Sequence, residues 1–120
     1  MQTLTNKFQR VKRHYRIRNK ISGTEQVPRM SVYISGKHIY IQFIDDVTGR
    51  TLASSSTLAS NFRESNVTAN LSGAEKVGRD AADKALKAGV KRVKFDRGGF
   101  KFHGRIKRIA EVAREIGLEF

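Results

Sequence analysis

Residues 29–56 read RMSVYISGKHIYIQFIDDVTGRTLASSS. Apolar and polar side chains alternate twice in this stretch, and short Gly- and Asp-containing segments separate the alternating runs. Period-two alternation is typical of strands with one buried face, and such short breaks are typical of hairpin turns. The stretch therefore predicts a three-stranded antiparallel meander with strands at Arg29–Ser35, Ile39–Asp45 and Thr51–Ser56.

The chain after this meander contains two helical patterns with a strand between them. Ser72 and Glu75 form a capping box for a helix whose apolar face extends to Ala88, and a Gly follows directly. Val90–Asp96 alternates again and is expected to pair in parallel with an existing strand, because a helical crossover precedes it. A last helix is predicted at about 105–116, where Ile and Ala recur on one face.

The fold class expected from this order is α/β, βββαβα, in two layers, with a mixed sheet and two helices on one face. Residues 57–71 are polar and aperiodic and are interpreted as a connection. We expect residues 1–28 to form a basic arm and linker and residues 29–120 to form a single globular domain. The sheet face without helices is expected to show Tyr33, Tyr40, Gln42, Arg92 and Lys94.

The N-terminal arm has an unusual charge. Residues 1–30 contain eight Lys or Arg and one acid, Glu25. At about 100° per residue, Leu4, Phe8, Val11 and Tyr15 form one narrow stripe and the cations occupy the rest of the circumference. This pattern favours insertion into folded RNA, with the stripe against a base, a ribose or the protein body. With so few apolar residues, the arm is expected to be disordered alone and helical on RNA.

Composition narrows the classes of partner. The net charge is +13 on 120 residues, with a pI of about 10.7 from the sequence, which favours a polyanionic partner. There is no Cys, so disulfides and thiolate zinc sites are excluded. The three His share no ligand spacing, and we expect no metal and no cofactor. Neither a membrane-spanning apolar run nor a signal peptide is evident, and a cytoplasmic protein is expected.

A second candidate interface is the loop DRGGFKFHG at residues 96–104. It combines cations with aromatic rings before a helix N-terminus, the composition that irregular RNA requires. Phe100 and Phe102 either stack on bases or fill the edge of the core. The candidate RNA-binding residues of the whole chain are Lys7, Arg10, Lys12, Arg13, His14, Tyr15, Arg16, Arg18, Lys20, Arg29, Lys37, His38, Tyr40, Arg97, Phe100, Lys101, Phe102, His103, Arg105, Lys107 and Arg108.

Two other classes of function compete with RNA binding. Asp45, Asp46 and Asp96 lie at predicted strand ends and could hold metal ions in a nuclease. Each is better explained by a turn, a strand end or a loop cap, and no nucleophile motif is present, so we expect no enzyme. A DNA-associated architectural protein would share the charge, but the chain has no helix-turn-helix or zinc-finger signature.

Five stretches resemble the family of bacterial large-subunit ribosomal protein eighteen: KISGT at 20–24, PRMSV at 28–32, KHIYIQFIDD at 37–46, TLASSS at 51–56 and FDRGGFKFHGRIK at 95–107. The resemblance implies a noncatalytic ribosomal protein that joins 5S rRNA to 23S rRNA in the central protuberance, beside large-subunit protein five. It places the RNA-binding surface on the arm and on the loop around Arg97 to Arg105. Phe100 and Phe102 stand where the family commonly has Tyr, and residues 59–71 match the family poorly.

Overall fold

A computed structural model describes residues 2–59, 62 and 67–120. For residues 2–5 it describes the backbone only. Helices and strands follow one another in the order expected after the arm. Their bounds are α1 Gln2–Arg18, β1 Arg29–Ser35, β2 His38–Asp45, β3 Arg50–Ser56, α2 Leu71–Lys87, β4 Lys94–Asp96 and α3 Gly104–Ile116.

The strands form one sheet in the order β3-β2-β1-β4. β2 pairs antiparallel with β1 and with β3, and β4 pairs in parallel with β1. The register places Val32 opposite Ile41 and Met30 opposite Phe43, so the apolar residues of both strands share one face. The predicted meander and the parallel fourth strand are confirmed.

Helices α2 and α3 cover the apolar face of the sheet. Phe43, Met30 and Ile109 are among the largest fully buried side chains, and Ala residues of α2 bring that helix close to the strands. These two layers confirm the predicted fold class, a mixed sheet with two helices on one face. None of the helices in the described ranges is long and apolar enough to cross a membrane.

Three details of these elements differ from the expectation. The N-cap of α2 is Asn70, whose side chain accepts a hydrogen bond from the Gly73 amide, so the predicted Ser72 capping box is wrong. Ala88 is exposed at the C-cap and does not extend the buried face. β4 contains only Lys94–Asp96, because the backbone just before it pairs with Glu119, which lies after α3.

Helix α1 lies against the sheet face that has no other helices. The Arg10 guanidinium is 5.6 Å from the centre of the Tyr33 ring on that face. The expectation of an entirely uncovered face is therefore wrong, although Tyr33, Gln42 and Lys94 retain exposed surface. The arm has few apolar residues of its own, and the body supplies contacts that stabilise its helix.

Candidate nucleic-acid interface

The arm helix α1 turns its apolar stripe away from the body. Phe8, Val11 and Tyr15 are 60%, 52% and 70% exposed, and the fourth predicted member, Leu4, lies outside the described side chains. The body-facing side carries Arg10 and other polar residues instead. The exposed surfaces of the described stripe members therefore do not contact the protein body, which was one of the three partners expected for the stripe.

Hydrogen bonds and charges hold α1 on the body. Arg13 donates from Nε to the Gly99 carbonyl oxygen at 2.8 Å, and the His14 Nε2 atom lies 3.4 Å from the Asp96 carboxylate. One turn later, Arg18 Nη2 lies 3.5 Å from the Asp46 carboxylate. The arm is thus anchored by its polar side, and this leaves the stripe free for another surface.

Beneath the arm, the buried guanidinium of Arg29 joins two carboxylates. It donates to Asp46 at 3.0 and 3.1 Å and to Asp96 at 2.7 Å. Burial alone lowers the pKa of Arg29, but the hydrogen bonds to both carboxylates outweigh it and raise the pKa above its ordinary value. The hydrogen bond from Arg29 holds the pKa of Asp46 below its usual range. Arg29 is therefore occupied within the protein.

The loop between β4 and α3 is shaped by Asp96 and two glycines. Asp96 accepts a hydrogen bond from the Gly98 amide at 2.9 Å, as expected for a loop cap. Gly98 and Gly99 have φ of +63° and +80°, a region that side chains disfavour. Gly99 also lies directly under α1, where a Cβ atom would collide with the Arg10 carbonyl oxygen. The sequence placed Asp96 and Gly99 in the candidate loop, but neither was predicted to bind RNA.

A shallow groove of about 340 Å³ runs between α1 and this loop. Arm residues form one wall, and Arg97 from the loop contributes to the other. Arg97 is held in place by a 3.0 Å hydrogen bond to the Phe100 carbonyl oxygen. No carboxylate lines the groove, whose described lining residues are Gln9, Arg13, Arg16, Ile17, Lys20 and Arg97. Such an arrangement can bind an anion of phosphate size.

The remaining candidate residues fall into two groups. One group is exposed and consists of Lys7, Lys12, Tyr15, Arg16, Lys20, Lys37, Lys101, Phe102, His103, Arg105 and Lys107. Within it, Arg105 also donates to the Ala69 carbonyl oxygen at 2.9 Å. The other group is already engaged by the protein. Arg108 donates to Glu75 at 2.9 Å across α2 and α3, and the His38 ring lies 2.9 Å from the Thr57 hydroxyl. Tyr40 is partly exposed beside Tyr33, with ring centres 6.4 Å apart.

Acidic side chains on the helix layer pair with nearby cations. Lys84 contacts Asp80 at 2.9 Å and Lys87 contacts Asp83 at 2.9 Å, both within α2. On the arm side, Asp46 and Asp96 are turned inward onto Arg29. The outward surface of the arm and groove is therefore cationic, whereas the layer of α2 and α3 carries both positive and negative charges.

Phe100 and Phe102 have different surroundings. Phe100 is partly buried against the core, 6.2 Å from the Tyr33 ring and 4.7 Å from the Arg10 guanidinium. Phe102 is 46% exposed and meets the Phe95 ring edge-on at 6.2 Å. One loop thus contains both environments that the sequence left open, a partly buried ring and an exposed one.

We expect replacement of these two rings to separate binding from stability. Phe102→Ala should weaken RNA binding by about 1–3 kcal/mol, because an exposed ring can stack on a base, and should barely change Tm. Phe100→Ala should lower the free energy of unfolding by about 2 kcal/mol, less than for a fully buried Phe. Filter-binding titrations and thermal melts of both variants measure the two effects. Equal losses of affinity at equal stability would contradict the distinction.

The three aspartates considered for a nuclease do not converge on a metal position. Asp46 and Asp96 both bind Arg29, and their shared position is filled by its guanidinium. Asp45 accepts hydrogen bonds from the Val47 amide at 2.9 Å and from the Thr48 hydroxyl at 2.8 Å, within a turn. Among the described residues, no group of three or more His, Cys, Asp or Glu could hold a metal ion.

A family model and the individual relatives of this chain point to the same protein family. The family described as ribosomal L18 of archaea, bacteria, mitochondria and chloroplast matches residues 4–120. The chain is 55% identical to the large ribosomal subunit protein uL18 of Pseudothermotoga lettingae over 95% of its length and 94% of that protein. It is 54% identical to the uL18 protein of Kosmotoga olearia and 55% identical to that of Clostridium botulinum strain ATCC 19397, each over 92% of both chains.

Proposed function

This chain belongs to the ribosomal L18 family, and we propose that it is a noncatalytic structural constituent of the large ribosomal subunit that binds 5S rRNA. We further propose that it helps attach 5S rRNA to 23S rRNA in the central protuberance of a cytoplasmic ribosome. Its neighbours there would include large-subunit protein five. The RNA partner and the location follow from the family resemblance, while the binding chemistry rests on the residues themselves.

The observation that carries the binding proposal is the meeting of the arm and the loop. Arg13 of α1 and Gly99 of the loop are 86 positions apart in sequence, yet the Arg13 side chain donates a hydrogen bond to the Gly99 carbonyl oxygen. The groove between them gathers basic side chains from both segments and no carboxylate. Cations concentrated on one surface favour a phosphate backbone over a protein or a small molecule.

Different residues of this surface would serve different contacts. Exposed cations such as Lys12, Arg16 and Lys101 neutralise phosphates, and Tyr15 and Phe102 offer rings for stacking. We leave Arg29 and Arg108 out of the proposed contact surface and assign them to the scaffold. Arg29 is 8% exposed and spans two carboxylates, and Arg108 pairs with the acids of α2 and α3.

Exposed cations outside the arm and the groove offer a surface for the proposed contact with 23S rRNA. Lys37 lies exposed in the turn between β1 and β2, and Lys107 is exposed on α3. Neither makes a side-chain hydrogen bond or ion pair within the described ranges. We propose that such outlying cations contact the second RNA and that the arm and groove contact 5S rRNA.

A gel-shift comparison of bacterial 5S rRNA, transfer RNA and duplex DNA tests the proposal. We expect 5S rRNA to bind tightest and its affinity to fall steeply with salt. If about six phosphates are neutralised, the plot of log affinity against log salt has a slope of about −4. Equal affinity for all three nucleic acids would refute specific 5S binding, and a preference for the duplex would indicate a DNA architectural protein. A nearly flat salt dependence would contradict the phosphate contacts.

A further inference from the structure

We propose that an RNA phosphate binds in the groove between α1 and the loop, and that Gly99 and Asp96 are positioning residues that assemble this groove by seating the arm. The identity of the RNA rests on the proposed function. We use the word seat for the contacts that Asp96 and Gly99 make with α1. These contacts lie within the protein and do not depend on which RNA binds. In this arrangement the body sets the position of the arm, and the arm in turn completes an anion site.

The groove requires both segments at once. Arg13, Arg16 and Lys20 come from the arm, and Arg97 comes from the loop. Two of the guanidinium groups are already held by backbone carbonyls, Arg13 by Gly99 at 2.8 Å and Arg97 by Phe100 at 3.0 Å. Fixed guanidinium groups lose less side-chain entropy on binding an oxyanion. Displacement of the arm would remove one wall and leave Arg97 without the other cations.

Gly99 allows the arm to approach the loop backbone to backbone. A Cβ at this position would collide with the Arg10 carbonyl oxygen and would lie 2.8 Å from the His14 Cβ atom and 2.9 Å from the His14 amide nitrogen. These are atoms of the helix backbone or close to it, so rotation of a flexible side chain cannot relieve the collision. Any larger residue here must push α1 away from the loop.

Asp96 connects the loop, the sheet and the arm through one carboxylate. Its side chain has no exposed surface. One oxygen accepts from the Gly98 amide, and the other lies 2.7 Å from Arg29 Nη1 and 3.4 Å from His14 Nε2. Because a buried carboxylate requires such partners, its position fixes the loop glycines relative to β1 and presents an acceptor to the arm.

The seat changes the expectation for the arm without RNA. An isolated helix of this length and charge is marginal in water, but Arg13 and His14 make side-chain hydrogen bonds to the loop, and Arg18 lies 3.5 Å from the Asp46 carboxylate. We infer that this half of the arm is ordered in the RNA-free protein. Disorder before RNA binding stays the prediction for the residues nearer the N-terminus.

Gly99→Ala tests the seat, with Gly89→Ala as the matched control. Gly89 has φ of +87°, close to the +80° of Gly99, but a Cβ atom added to Gly89 would meet nothing within 4 Å. Both substitutions therefore introduce similar backbone strain, and only the first displaces the arm. Arg13→Lys is a second variant, which keeps the charge but removes the Nε donor to Gly99.

Amide hydrogen exchange of the RNA-free proteins and salt-dependent binding to bacterial 5S rRNA are the two measurements. In Gly99→Ala and Arg13→Lys, we expect amides of residues 10–18 to exchange at least about tenfold faster than in the unmodified protein. If Gly99→Ala loses two phosphate contacts, its salt slope becomes less negative by about 1.4. Gly89→Ala should match the unmodified protein in both.

Any other result contradicts one identifiable part of the proposal. Unchanged exchange in Gly99→Ala and Arg13→Lys would overturn the seat. Faster exchange with unchanged 5S affinity and salt slope would overturn the phosphate groove and leave the proposed function intact. If the unmodified protein does not bind 5S rRNA, the proposed function fails, and the exchange data still decide whether the seat exists.

Discussion

Replacement of Arg29 by Ala is expected to lower the free energy of unfolding by about 3–5 kcal/mol, the range for removal of one partner from a buried ion pair. Arg29 is the link between Asp46 and Asp96, and Asp96 has no exposed surface. Without the guanidinium, the buried Asp96 side chain loses its closest charged partner, and burial of a carboxylate without such a partner costs free energy. Urea unfolding at neutral pH, followed by circular dichroism, measures the change.

Arg92→Ala is the matched control. Arg92 also pairs with a carboxylate, that of Glu119 at 3.1 Å, but both side chains are largely exposed. Exposed pairs contribute about 0–1 kcal/mol, so this variant should remain close to the unmodified protein. If the two variants lost equal stability, the Arg29 cluster would have no special role in the fold.

The same cluster predicts how stability depends on acid. The hydrogen bond from Arg29 lowers the pKa of Asp46 in the folded state relative to the unfolded chain. Its contribution to stability is therefore complete above the unfolded pKa of about 4 and is lost as pH falls through the lower folded value. In Arg29→Ala this acid-dependent loss should be smaller, which urea unfolding between about pH 2 and 7 would show.

The combined change Lys12→Ala, Arg16→Ala and Lys20→Ala is expected to cause the largest loss of RNA affinity. All three side chains are exposed on the arm, and none makes a side-chain hydrogen bond or ion pair with another described residue. If each neutralises one phosphate, the salt slope becomes less negative by about 2, and the affinity for 5S rRNA falls about 100-fold near 0.1 M salt. The difference should vanish as salt approaches about 1 M.

A variant with the same change in net charge controls for nonspecific attraction. Lys76 and Lys87 are exposed on α2, in the opposite layer, and Lys91 is exposed in the segment between α2 and β4. Their replacement by Ala should alter the affinity and the salt slope little. Equal effects of the two triple variants would mean that overall charge governs binding and that the arm has no defined contact surface. Thermal melts of both should match that of the unmodified protein.

The local patterns of this chain were sufficient to predict its layers. Alternation between Met30 and Phe43 produced the correct strands and their shared face, because period two is a property of each strand by itself. The one-sided apolar pattern of α3 predicted its bounds to within one residue. The Ser72 capping box failed because Asn70, two residues earlier, was an equally suitable cap. Capping propensity alone does not decide between two suitable residues that lie two positions apart.

For the candidate site as well, the sequence predicted some features and the tertiary structure decided the others. Charge and aromatic content alone identified the arm and the loop as the candidate surfaces, because both are properties of composition and need no geometry. Only the tertiary structure decided that Arg29 is buried between Asp46 and Asp96, and that the arm docks by its polar side on Gly99. Those contacts join residues 17 to 86 positions apart. Their partners are chosen by how the sheet and the loop bring distant segments together, and no local periodicity in the sequence records that choice.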